Sequence, residues 1–171
     1  MFDDLVLLVE VKAMMPTQPM RLGGQAATAD IAAKLTKAHQ QIDNTAALVA
    51  AQDPAFHQVP TDRPVLGMIV TLQPFHIANI PDHKALFPNA STTVRIASAA
   101  DLEMLVVLDD EPVSKFLIDL AADPERSTWG LLGALRGHKR RRNPILDQGW
   151  ASYPWPHAAV PEPDEDAVVE M

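Results

Sequence analysis

Residues 5–12 read Leu5-Val6-Leu7-Leu8-Val9-Glu10-Val11-Lys12, and this stretch decides the fold. An unbroken aliphatic and β-branched run predicts a strand buried on both faces, as parallel sheets place in their interior. Side chains two apart on a strand share a face, so Glu10 and Lys12 project side by side from an otherwise apolar segment. A carboxylate or ammonium left unpaired among aliphatic neighbours is costly or shifts its pKa. The pair therefore marks either a site or a strand end that reaches water.

Outward from this strand, Met14, Met15, Pro16, Pro19, Gly23 and Gly24 break any period, so residues 13–24 are expected to form a loop. From Asp30 to Ala51, Ile31, Leu35, Ala38, Ile42, Ala46 and Val49 recur at steps of three and four, which predicts a helix with one packed stripe and Asp30 as its N-cap. At about 100° per residue, Lys34, Lys37, Gln41 and Thr45 fall along one flank of that stripe.

Val65 to Thr71 predicts a second strand, with Phe75 to Ile80 as its continuation beyond Pro74, and Thr93 to Ser98 a third. Two short helices are expected after it, one starting near Asp101 and one around Phe116, Leu117 and Leu120, then a helix from Ser127 to Arg136. Ser98 and Asp101 read as helix entry with a capping role rather than as a nucleophile and its acid. The domain is expected to run over 1–143, with 144–171 an extended or partly disordered tail rich in Pro154, Pro156, Pro161, Pro163 and acidic residues.

The order of apolar strand, Glu10-Val11-Lys12, irregular loop, helix with a Lys/Gln flank and two further apolar strands resembles the PD-(D/E)xK nuclease superfamily. The likeness covers roughly residues 5–120 and is carried by Val9-Glu10-Val11-Lys12 as the E-x-K strand and by Lys34, Lys37, Gln40 and Gln41 on the helix that follows. It implies a restriction-endonuclease-like α/β/α core around a central mixed sheet, and metal-dependent cleavage of DNA phosphodiesters. On that resemblance Glu10 would ligate Mg²⁺ or Mn²⁺, and Lys12 would orient the attacking water or stabilise charge on the phosphorane. Gln41, and with it Lys37, would line the site from the helix. On the residues alone, Gln41 reads equally as an exposed polar position.

The superfamily places an Asp on the strand before E-x-K, whereas four residues precede Leu5. Asp4 lies six residues from Glu10 on one strand, roughly 20 Å at 3.3 Å per residue, too far to share a metal. The core is therefore expected to be N-terminally truncated. The chain would be a fragment, a degenerate member serving as a DNA-binding or protein-interaction module, or one that takes its Asp from another segment or subunit. An unpaired first-strand edge would invite pairing with a second copy as a homodimer.

With 171 residues, 47% hydrophobic and 21% charged, the chain has the makeup of one globular domain, which excludes disordered and fibrous classes. Absence of cysteine excludes disulfides, thiolate metal sites and a cysteine nucleophile. Leu5 to Val9 is too short for a membrane span and follows no basic region, so a cytoplasmic protein without a membrane partner is expected.

The net charge of −8 argues against coating nucleic acid by bulk electrostatics. Local patches decide instead. Arg136, Lys139, Arg140, Arg141 and Arg142 read either as DNA phosphate contacts or as cations complementing a helix end. Asp109, Asp110 and Glu111 read as a hydrophilic turn, and the six histidines as surface or loop residues without metal-ligand spacing.

Overall fold

The strand over 5–12 forms as β1, Val6–Lys12, and pairs in parallel with β2, Val65–Thr71, which pairs in parallel with β3, Val94–Ser98. The computed structural model describes residues 2–13, 25–74, 79, 91–139 and 144–153. Among them the sheet is three-stranded and parallel in the order β1-β2-β3. The reason is connection length: parallel neighbours need a crossover, and the chain between β1 and β2 carries the long helix α1, Gln25–Ala50. A restriction-endonuclease-like core is an expectation this small sheet leaves open. The expected loop, past Ala13, and the continuation over 75–80, apart from Asn79, lie outside the described residues.

Alternation assigns the two faces. Gly67 and Ile69 face α1, whose Leu35, Ala38, Ile42 and Val49 are buried. A Cβ on Gly67 would stand 2.8 Å from Ile42 Cγ2 and 2.8 Å from Val94 Cγ2, so glycine lets the helix close on the sheet. On the other face, Leu5, Met68, Val70 and Ala97 join a cluster with α2, Ala99–Leu105, α3, Val113–Ala122, and α4, Leu131–Ala134, through Leu105, Phe116, Leu117, Leu120, Leu131 and Ala134. Each fully buried side chain of this size contributes about 1.5–3 kcal/mol. Helices on both faces give a layered α/β arrangement.

Strand β1 is not buried on both faces throughout. Val9 is 50% exposed and Val11 68%, because β1 is an edge strand and the cover over Leu5 and Leu7 stops short of them among the described residues. Asp30 lies inside α1 rather than capping it; the Ala-rich run from Gln25 favours helix and carries its start upstream.

Ser98 caps α2 as expected, accepting from the Asp101 N–H at 3.1 Å while Asp101 Oδ2 accepts from the Ser98 N–H at 2.8 Å. The single helix expected over 127–136 is divided into a 3-10 turn, Arg126–Thr128, and the short α4. Trp129 and Gly130 between them hold extended ψ values of 150°, which end one helix before the next begins.

Arg95 anchors that divided segment to the sheet. Its guanidinium donates to the carbonyls of Trp129 at 2.6 Å and Ser127 at 3.2 Å, and burial, with the nearby Arg126 charge, lowers its pKa to about 10. On α1, Asp43 accepts from Ser91 Oγ at 3.0 Å and the Thr92 N–H at 2.9 Å, tying the helix to the approach to β3.

The chain divides into Met1–Arg141 and Arg142–Met171. In the second unit a helix, α5, runs over Pro144–Ser152 where an extended tail was expected; proline is compatible with a first helical position, and Asp147 stands in the first turn. Residues 154–171 lie outside the described residues. No helix among the described residues is long and apolar enough to cross a membrane.

Candidate functional site

The carboxyl ends of parallel strands are where open α/β sheets present ligand crevices. Here β1 ends on Glu10 and Lys12, on the face that carries α1. Lys12 Nζ lies 2.6 Å from Glu10 Oε1 and donates to Gln41 Oε1 at 2.7 Å. The three residues expected to act together thus meet at one place. Both members of the ion pair are about three-quarters shielded from solvent, with side-chain exposures of 23% for Lys12 and 25% for Glu10. The paired charges answer the cost of placing them on an apolar strand.

Helical spacing brings two further lysines to the same strand end. Lys12, Ala13, Ala33, Lys34 and Lys37 line an open cleft of about 440 Å³. Lys34 and Lys37, one turn apart on α1, are exposed. Three lysines thus line one volume, and the two alanines share its wall between β1 and α1, a participation that neither alanine's sequence context signals. Thr45, the fourth residue of the expected flank, bonds back to its own helix, its hydroxyl donating to the Gln41 carbonyl at 2.9 Å.

The basic run does not join this cleft as a block. Arg136 lines a separate cavity at the end of β3. Lys139 is exposed, but its N–H donates to Asp110 Oδ2 at 3.2 Å and its carbonyl accepts from the Asp109 N–H at 3.0 Å. His138 Nδ1 stands 3.3 Å from Asp110, and its ring meets Phe116 edge-on at 5.2 Å between centroids. Asp110 therefore works as an internal clasp, and His138 is an anchored residue rather than an ordinary surface one. Arg140, Arg141 and Arg142 lie outside the described residues.

Whether these residues fit a divalent metal follows from their donors. Mg²⁺ is held through one or two carboxylates, with waters and substrate phosphates completing an octahedron. Glu10 is the single carboxylate among the residues that meet at the end of β1, and it is already paired with Lys12. Among the described residues no group of three or more His, Asp or Glu could hold a metal ion. The described residues do not make a resident metal centre.

Fold and site together define a parallel α/β protein with a basic cleft at the carboxyl edge of its sheet. No family model, curated protein or solved structure matches this chain.

Proposed function

We propose that the chain is a DNA-binding module of nuclease-like design, which engages backbone phosphate through Lys12, Lys34 and Lys37. The observation that carries this reading is that three lysines line one open cleft in a chain of net charge −8. Lys12 comes from the strand and Lys34 and Lys37 from the helix, and a merely solvated helix face would not bring two of them to a strand end. Phosphate contacts by lysine supply sequence-independent affinity.

A second reading, metal-dependent phosphodiester hydrolysis, is favoured by the contact among Glu10, Lys12 and Gln41. It requires a further carboxylate from beyond the described residues or from a second copy of the chain. The edge position of β1 among the described residues supports such a homodimer.

The test is fluorescence anisotropy with a labelled duplex at low salt. Wild-type protein should bind, and the triple variant Lys12→Gln/Lys34→Gln/Lys37→Gln should lose most of the affinity. Binding indifferent to the three lysines, or no binding at all, overturns the DNA reading. A nicking assay with Mg²⁺ separates the second reading: activity retained in full by Glu10→Gln would exclude Glu10 as a metal ligand.

A further inference from the structure

The other end of the same sheet edge holds a cavity of about 300 Å³. That volume stands at the lower end of the roughly 300–1,000 Å³ typical of small-molecule sites. Its walls divide by chemistry. Pro74, Ile96 and Leu132 are apolar, while Asp101 and Arg136 bring opposite charges to one small space. The Asp101 carboxylate is held in place by the capping box, accepting from both the Ser98 N–H and the Ser98 hydroxyl at 2.8 Å. Arg136 is exposed at the cavity and so within reach of a ligand's anionic group.

Two glycines complete the wall, and neither is required by the fold. Gly130 has φ −62°, a value any residue adopts, and Gly133 sits inside α4, where glycine costs stability relative to alanine. A Cβ on either would meet nothing within 4 Å among the described residues. Tight packing and backbone strain, the usual reasons for glycine, are both absent. What the two residues provide is open space beside Asp101 and Arg136.

We propose that this cavity receives a single nucleotide, with the base against Pro74 and Leu132, an amino or hydroxyl donor on Asp101 and the phosphate on Arg136. Each part of the wall selects for a part of that ligand. A guanidinium recognises phosphate, and a carboxylate accepts from an exocyclic amine or a sugar hydroxyl. Inorganic phosphate or a small polyacid would bring negative charge against Asp101 with no donor to offer it, and an uncharged aromatic would leave Arg136 unused.

As an unpaired nucleotide of a bound strand, the ligand rests on the DNA reading above. The register aligns Lys12 with Thr71 and Thr71 with Ser98. Two strand spacings put Lys12, which lines the cleft, and Ser98, which lines the cavity, about 10 Å apart along the edge. That is a span of about three stacked nucleotides at 3.4 Å each.

The experiment titrates the full chain with deoxynucleoside 5′-monophosphates by calorimetry and saturation-transfer NMR, with inorganic phosphate and free nucleosides as controls. Saturable binding is expected, weakened about tenfold by Arg136→Gln through loss of the charge-assisted contact. Gly133→Leu, which fills the open wall, should abolish it. Leu132→Asp, at a position 49% exposed and therefore tolerant of charge, should remove the apolar wall under the base and weaken binding, and it guards against a Gly133 variant that fails to fold.

A duplex with a single-stranded overhang that binds better than a blunt one, with the gain lost in Gly133→Leu, identifies a strand as the source. Mononucleotide binding with no overhang gain identifies free nucleotide. No saturable binding of any mononucleotide, or binding unchanged in both Gly133→Leu and Leu132→Asp, overturns the proposal. The lysine triple variant keeps the two readings apart: it should lose duplex affinity while keeping mononucleotide binding.

Discussion

Lys12 Nζ donates to Gln41 Oε1 at 2.7 Å, joining the end of an edge strand to a helix position 29 residues further along the chain. The same ammonium lies 2.6 Å from Glu10, so one lysine organises both the strand and the helix side of the cleft. Lys12 is held rather than swinging freely, and it lines the same cleft as Lys34 and Lys37.

Each phosphate neutralised by a lysine contributes roughly 0.9 to the slope of log affinity against log salt concentration on duplex DNA. Replacing Lys12, Lys34 and Lys37 by Gln together should therefore flatten that slope by about 2 to 3, measured by anisotropy titrations across a salt series. Glu10→Gln removes an opposing charge and should strengthen binding slightly, without changing the number of phosphates engaged.

Gly67→Ala places a methyl group 2.8 Å from branches of both Ile42 and Val94, which hold the helix and the neighbouring strand. The helix must move away from the sheet to admit it. Urea unfolding should show a loss of about 1–3 kcal/mol, and a variant as stable as wild type would mean that α1 sits further from β2 than described.

Phe116 is 1% exposed and lies at the centre of the cluster beneath α2, α3 and α4, with the His138 ring against its edge. Phe116→Ala should cost about 3–5 kcal/mol. It should also release His138 from its packing, visible as a changed imidazole NMR signal.

Burial works to raise the Asp43 pKa, but hydrogen bonds from Thr92 and Ser91 outweigh it, and the carboxyl is held below its ordinary value of 3.8. The unfolded chain therefore binds a proton more readily than the folded one near that value. The contribution of Asp43 is fully present above pH 3.8 and is lost as pH falls through the folded-state pKa. Denaturation curves for Asp43→Asn and wild type should converge in that acid range and separate above it.

Ser98→Ala removes the capping oxygen from α2 and leaves the Asp101 carboxylate without one of its two donors from residue 98. A loss of about 1 kcal/mol is expected by thermal or chemical denaturation.

Elements whose periodicity is strong and local can be read from the chain directly. Val65 to Thr71 and the strand ending at Ser98 stand where alternation and β-branched content put them, and the capping box at Ser98 and Asp101 was legible because both partners lie within four residues. The helical period on α1 placed Lys34, Lys37 and Gln41 on one flank, since a 3.6-residue repeat is independent of what the helix packs against.

Which of these residues meet depends on how distant segments pack. That Lys12 reaches Gln41, that Asp43 ties α1 to Thr92, and that Asp110 clasps Lys139 are contacts across 29, 49 and 29 residues, for which no local pattern exists. The parallel sense of the sheet, the exposure of Val9 and Val11 at its edge, and the separation of Arg136 from the lysine cleft follow from strand order and helix cover. A single sequence carries its hydrophobic period in every window, but which surfaces cover one another is settled only when distant segments compete to bury them.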